Sequence, residues 1–325
     1  MIVSYQGKDL YVAGAHQYYA LWLRDTCIAS PHMDPVITRN TLNVFLQCQK
    51  DGELPKVIGL DESSTMTNLI GVMRMPRKRA KVVSRLYPMY VDELGTRAID
   101  SWLWWMYAMV QVHAKEEARQ HLKAVIAYYS RYQSEGLILQ PPHSDFQDSS
   151  GHGGYSFMTN LLYWKVLRDF GDARAEVLAQ KLENFWSPER KAYRTFLHDA
   201  EHISLPGNLF ALEWELPGAK AHMKLIKQSD LCVSRPGFVT TPAWSHTAWF
   251  LSLLGIADYH GPSVYWVWLM AFAARVLKKK CTITLPYEVL DVRGRPIDYF
   301  LGYKSETCFL MSVAFLSALR QDQSI

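Results

Sequence analysis

The sequence predicts an all-α chain: an α/α toroid in which helical hairpins stand in two concentric rings, forming a single domain over residues 1–325. Two observations carry this. Segments that are apolar on nearly every side alternate along the chain with amphipathic ones, as the inner and outer helices of a ring require. Sustained period-two alternation is missing, so very little strand is expected. Periodicity marks about ten or eleven helices. Six hairpins need one or two more, which leaves a helix to be found within 56–95 or 240–256.

In chain order, Tyr19–Met33 reads as a helix behind an aromatic cluster, and Asp34-Pro35 breaks it and opens the next, because proline suits a first helical turn. The second helix runs through TRNTLNVFLQCQ, with Leu42, Phe45 and Leu46 on one face, and stops at Asp51–Pro55. Residues 56–95 are interrupted by Gly59, Gly71, Pro76, Pro88 and Gly95 and read as a long connection over one face. Long ordered connections are more often functional than decorative. Ala98–Val112 is nearly all apolar and is followed by amphipathic Lys115–Gln133. Tyr155–Phe170 and Ala173–Phe185 repeat that inner and outer pair, as do LPGNLFALEWEL from Leu205 and PGAKAHMKLIKQ from Pro217. Tyr259–Lys280 and a terminal helix near Glu306–Arg320 complete the set.

Composition removes several function classes. A net charge of +4 is too small to imply a nucleic-acid partner, and the basic run between Arg74 and Arg85 has no groove-reading motif beside it, so it reads as a solvated loop. The five cysteines are dispersed without a CxxC pair, which fits reduced thiols in a cytoplasmic protein. MIVSYQGKDL lacks the features of a signal peptide, and Val264–Ala274 is too short to span a bilayer, so no membrane partner is expected. The 11 Trp and 18 Tyr exceed what a core needs and suit the faces of a sugar ring, although large helical cores use them too.

The chemistry concentrates between Ser144 and Leu167, where Asp145 and Asp148 precede Gly151, Gly153 and Gly154 and then an apolar helix. Two readings stand: the acids face a catalytic mouth, or Asp148 and Ser149 merely cap the helix. His143, Asp145, Asp148 and His152 match no zinc spacing, and neither a phosphate loop nor a GxSxG elbow is present, so neither metal nor cofactor is expected. Asp100 interrupts an apolar helix and must face a polar pit or a partner.

Seven segments then fall into a family's order: LWLRDTCIA, QKDGELP, AIDSWLWW, SDFQDS with TNLLYWKVL, LPGNLFAL, YHGPSVYWVW and YEVLDVRGRP. Together they resemble the six-hairpin glycosidases, namely neutral and alkaline invertases, the amylo-α-1,6-glucosidase part of glycogen debranching enzymes, and bacterial glucosylglycerate and mannosylglycerate hydrolases. The resemblance covers nearly the whole chain, residues 20–320. It implies an (α/α)6 toroid that hydrolyses an α-linked glucoside or related small saccharide with inversion. It implies Asp148 as the acid that protonates the leaving oxygen and Glu288 as the base that activates water, with Asp145 and Glu306 as fallbacks. Leu290 stands where the family has an aromatic, and the acid loop is shorter than in the invertases. These departures keep a non-hydrolytic carbohydrate-binding protein, or a toroid acting on another small molecule, as the alternative.

The same resemblance implies sugar binding by Trp22, Arg24 and Asp25, by Asp100 with Trp104, and by Tyr259, His260 and Trp266. A structural ion pair between neighbouring helices is the other reading of Arg24 and Asp25, and His260 alone would count only as a core histidine. Trp244 and His246 fit either the rim or the core. An oligomer is left open.

Overall fold

The computed structural model describes residues 1–14, 18–60, 81–91, 97–142, 144, 153–228, 240–241, 264–279, 281, 283, 285–291, 293–297, 305 and 308–323. Among these lie eleven α-helices: α1 (Leu23–Ala29), α2 (Pro35–Gln47), α3 (Ser101–Gln111), α4 (Lys115–Arg119), α5 (Leu122–Ser130), α6 (Phe157–Phe170), α7 (Arg174–Leu182), α8 (Leu205–Glu213), α9 (Pro217–Ile226), α10 (Val267–Leu277) and α11 (Leu310–Gln323). Six of them close a ring. α1 packs on α3, α3 on α6, α6 on α8, α8 on α10, α10 on α11, and α11 back on α1. The amphipathic α2, α4, α7 and α9 stand outside, each against an inner neighbour.

All six inner helices point the same way. Arg24 at the start of α1 reaches Asp100 at the start of α3. Gln140 accepts from Thr159 in the first turn of α6, while Ser144 accepts from Ile99, just ahead of α3. Gly207 in the first turn of α8 lies so close to Phe157, the first residue of α6, that a Cβ there would meet its Cδ1 at 2.8 Å. Glu213, the last residue of α8, pairs with Arg275 near the end of α10. Phe309, just ahead of α11, donates to Pro286, two residues from the Glu288 carbonyl that accepts from Val267, the first residue of α10. Leu310 donates to Ala13, whose N–H donates to Ala20 on the strand leading into α1. The ring therefore has an N-terminal mouth and a C-terminal end.

The chain is not all-α. Fifteen strands of two to four residues form six small sheets among the described residues. Strands this short carry no readable period, which is why periodicity passed them over. Part of the 56–95 connection is sheet: Val57–Leu60 (β4) pairs with Ala20–Trp22 (β3) on one side and with Leu86–Met89 (β6) on the other. Residues 61–80, most of the basic run and the possible helix in 240–256 lie largely outside the described residues.

Several strands run directly into inner helices and shorten them relative to the periodic reading. β3 leads into α1, which ends in a 3-10 turn at Ser30–His32, and Val264–Trp266 (β14) leads into α10. Two entrances share one construction. Ser156 caps α6 and Ser204 caps α8, each hydroxyl accepting an N–H of the first turn. Four residues on, Asn160 and Asn208 turn back toward the preceding chain. Asn208 donates to the Ser204 carbonyl at 2.6 Å and the Tyr193 carbonyl at 3.0 Å, and accepts from Tyr193 N–H at 2.9 Å. Asn160 does the same with Ser156 and Ile138. Both asparagines are buried, and each satisfies backbone groups that the short strands leave open.

Candidate active site

The N-terminal mouth holds most of the sequence-derived site residues that are described. On the α1 side, Leu23 N–H donates to the Lys56 carbonyl, so the strand-to-helix junction carrying Trp22, Arg24 and Asp25 is tied to β4. The Arg24 guanidinium takes Asp100 in a two-point grip, Nε to Oδ2 at 3.0 Å and Nη2 to Oδ1 at 2.9 Å. Trp104 adds its indole N–H to Oδ2 at 3.0 Å. Asp100 stands at the N-cap position of α3 but caps nothing, and at 3% exposure it relies on these donors rather than on water to meet its oxygens. Trp104 itself is wholly buried against Tyr107, Phe210 and Trp214, so it meets the mouth through its N–H alone.

Behind this pair sits Cys27. Burial first, then the Asp100 and Asp25 carboxylates, push its thiol well above the usual value, so it is a neutral core thiol and no nucleophile. Trp22 meets Tyr18 edge-on at 5.1 Å, and Tyr18 lies 5.9 Å from Phe309. The Trp22 indole N–H is buried without a hydrogen-bond partner among the described residues.

Across the ring, Glu288 precedes Val289–Asp291 (β15), which pairs with β14 so that Trp266 faces Val289. The Glu288 carbonyl accepts from Val267 at 3.0 Å, which places this residue beside the start of α10. Glu288 is completely buried, and Trp266 is 5% exposed. Ser305 clamps the next residue, accepting from Val289 N–H at 3.1 Å and donating to its carbonyl at 2.6 Å. Leu290 is buried in β15 opposite Tyr265.

Asp148, Asp145, His143 and His152 lie outside the described residues, as do Tyr259, His260, Trp244, His246 and Glu306. The flanks of the acid segment are described. Ser144 is held to Ile99 at 2.9 Å, one residue from Asp100, and Gly154–Tyr155 (β9) pairs with Leu139–Gln140 in Leu137–Gln140 (β8). Ser144 and Gly154, described residues on either side of 145–152, thus lie at the N-terminal mouth. The capping reading of Asp148 and Ser149 does not hold, because α6 begins only at Phe157 and Ser156 is its cap.

The mouth is also electrostatically suited to carboxylates. Six helix N-termini converge there, each carrying roughly half a positive charge. Asp25, Asp100 and Glu288 gather at that end, whereas Lys165, Arg168 and Arg275 gather near the C-terminal ends of α6 and α10. Sequence reasoning missed Tyr18, Phe309 and Ser305, which shape or hold this mouth. Ser305 lies in no recognisable pattern, while Tyr18 belonged to the aromatic cluster read only as a helix preface.

No protein-family model matches the chain, and no curated protein matches it either. Among solved structures it is similar to a rhamnosidase from Klebsiella oxytoca with rhamnose bound, with a TM-score of 0.55 at 12% identity. The chain shares the fold of the matched part of the rhamnosidase. The match covers 94% of this chain and 58% of the rhamnosidase, so the chain spans little more than half of that structure's length. At this identity the likeness is one of fold, and the resemblance to invertases, debranching enzymes and glycerate-glycoside hydrolases remains one of motifs. Among the described residues, no helix is long and apolar enough to cross a membrane.

Proposed function

We propose that this chain is an inverting glycoside hydrolase: a single-domain (α/α)6 toroid that cleaves an α-linked glucoside or a related small saccharide, with Asp148 as general acid and Glu288 as general base. The observation that carries the reading is a completely buried glutamate beside the start of α10, at the N-terminal mouth of a closed six-helix ring. The fold shared with the rhamnosidase supports it.

Glycoside hydrolysis by inversion needs one carboxyl to protonate the leaving oxygen and a carboxylate on the opposite face of the ring to deprotonate water, roughly 6.5 to 9.5 Å apart. In this reading Glu288, beside the start of α10, is the carboxylate and Asp148 is the acid. Trp22 offers a buried indole N–H that wants an acceptor such as a sugar oxygen. Arg24 and Asp100 act mainly on each other, so their part is to fix the α1–α3 wall rather than to grip the sugar with both groups.

A non-hydrolytic carbohydrate-binding protein is the second reading, and one observation favours it: Leu290 is buried within β15 where the family places an aromatic. The two readings separate in one experiment. The protein is incubated with α- and β-glycosides, including sucrose, trehalose and glucosylglycerate, and the anomer first formed is followed by NMR. An inverted product from an α-glycoside supports hydrolysis. Sugar binding with no turnover across the panel moves the assignment to the second reading.

A further inference from the structure

The C-terminal end of the ring, opposite the mouth, contains a pocket of about 240 Å3 to which all six inner helices contribute. Its walls include Tyr107 and Gln111 of α3, Lys165 and Arg168 of α6, Trp214 just beyond α8, and Arg275 of α10. The volume lies below the usual range for drug-sized ligands and suits a single ring.

One buried donor in this wall, the Arg275 Nε–H, has no hydrogen-bond partner among the described residues. Trp214 is 4% exposed, and its indole N–H meets the Tyr107 hydroxyl. A buried donor left open carries a desolvation penalty, which a ligand that supplies an acceptor there recovers. Acceptors are present too. Glu213, which pairs with Arg275, and exposed Glu215 also border the pocket.

Charge narrows the ligand class. Lys165 is paired with Asp169, which also lies 3.8 Å from Arg168, and Arg275 is paired with Glu213. Three cations thus stand against Asp169, Glu213 and Glu215, with the negative ends of six helices behind them. An anion finds no net attraction in such a site, and a cation meets three basic side chains. A neutral molecule with many hydroxyls matches the mixture of the open Arg275 donor, carboxylates and aromatic faces supplied by Tyr107, Phe210 and Phe272.

We propose that this pocket is a second carbohydrate site that binds one neutral monosaccharide ring, separate from the N-terminal mouth. The assignment does not depend on the hydrolase reading, since binding here involves none of the residues given to catalysis.

The test is calorimetric titration of the full chain with D-glucose, D-mannose and L-rhamnose at millimolar concentration, beside Gln111→Leu, Arg275→Met and Glu288→Gln. The expected result is binding of at least one sugar that persists in Glu288→Gln and weakens about tenfold in Gln111→Leu or Arg275→Met. Circular dichroism checks that each variant is folded, and Gln111→Leu carries the test if Arg275→Met is not. No binding of any of the three sugars, or binding that both C-terminal variants leave unchanged, overturns the proposal. Hydrolysis is read separately, so failure of the catalytic reading leaves this result intact.

Discussion

Arg24 on α1 holds Asp100 on α3 through two parallel hydrogen bonds of 3.0 and 2.9 Å, and Trp104 donates a third to the same carboxylate. The carboxylate is 4% exposed and the guanidinium 15%, so neither charge is well hydrated. Removing one partner strands the other. Arg24→Met is expected to destabilise the fold by about 3 to 5 kcal/mol, and Asp100→Asn by a comparable amount. The double variant loses less than the sum of the two. Denaturant unfolding of the three variants gives the coupling directly, and additive losses would show that the pair does not act as a unit.

Asn208 makes three hydrogen bonds in the core, two to carbonyls and one from the Tyr193 N–H. Asn208→Ala leaves those backbone groups buried and unmet. A loss on the order of 3 kcal/mol is expected, with Asn160→Ala losing a similar amount because its contacts are of the same kind. Losses under about 0.5 kcal/mol in urea unfolding would contradict the role given to these residues.

His32, packed edge-on against Phe315, has its pKa lowered to about 4, chiefly by burial and then by the nearby Arg275 charge. The unfolded chain, with a histidine pKa near 6.5, therefore binds this proton more readily than the folded chain. His32 contributes its full stability above about pH 6.5 and loses it as pH falls toward 4. The melting temperature of His32→Gln should change less over that window than that of the parent. An equal slope in both proteins would rule the histidine out as a source of acid sensitivity.

The helices were legible in the sequence because they are long and periodic: the nearly all-apolar Ser101–Gln111 and Phe157–Phe170 emerge close to their expected places. Alternation with amphipathic neighbours anticipated an inner ring with helices outside it. The two- to four-residue strands were not legible, and those at Ala20–Trp22 and Val264–Trp266 took up residues expected to be helical. Lys115–Gln133 splits at Gln120 and His121 into two helices for the same reason, since periodicity does not register a one-turn interruption. In the site, Asp100 was conspicuous as an acid in an apolar helix, yet its partner was invisible because Arg24 lies 76 positions away in sequence. Glu288 came only from its resemblance to a family segment. No pattern in the chain announces that Ser305 will fasten the residue beside it.

The proposed roles of Glu288 as general base and Asp148 as general acid are tested most directly by comparing the hydrolysis rates of the parent, Glu288→Gln and Asp148→Asn on the α-glycoside turned over fastest by the parent. Loss of a general base or acid is expected to lower the rate by about 10^2- to 10^4-fold in each variant, with melting temperatures showing that both remain folded. Full hydrolytic activity in both variants would contradict the account.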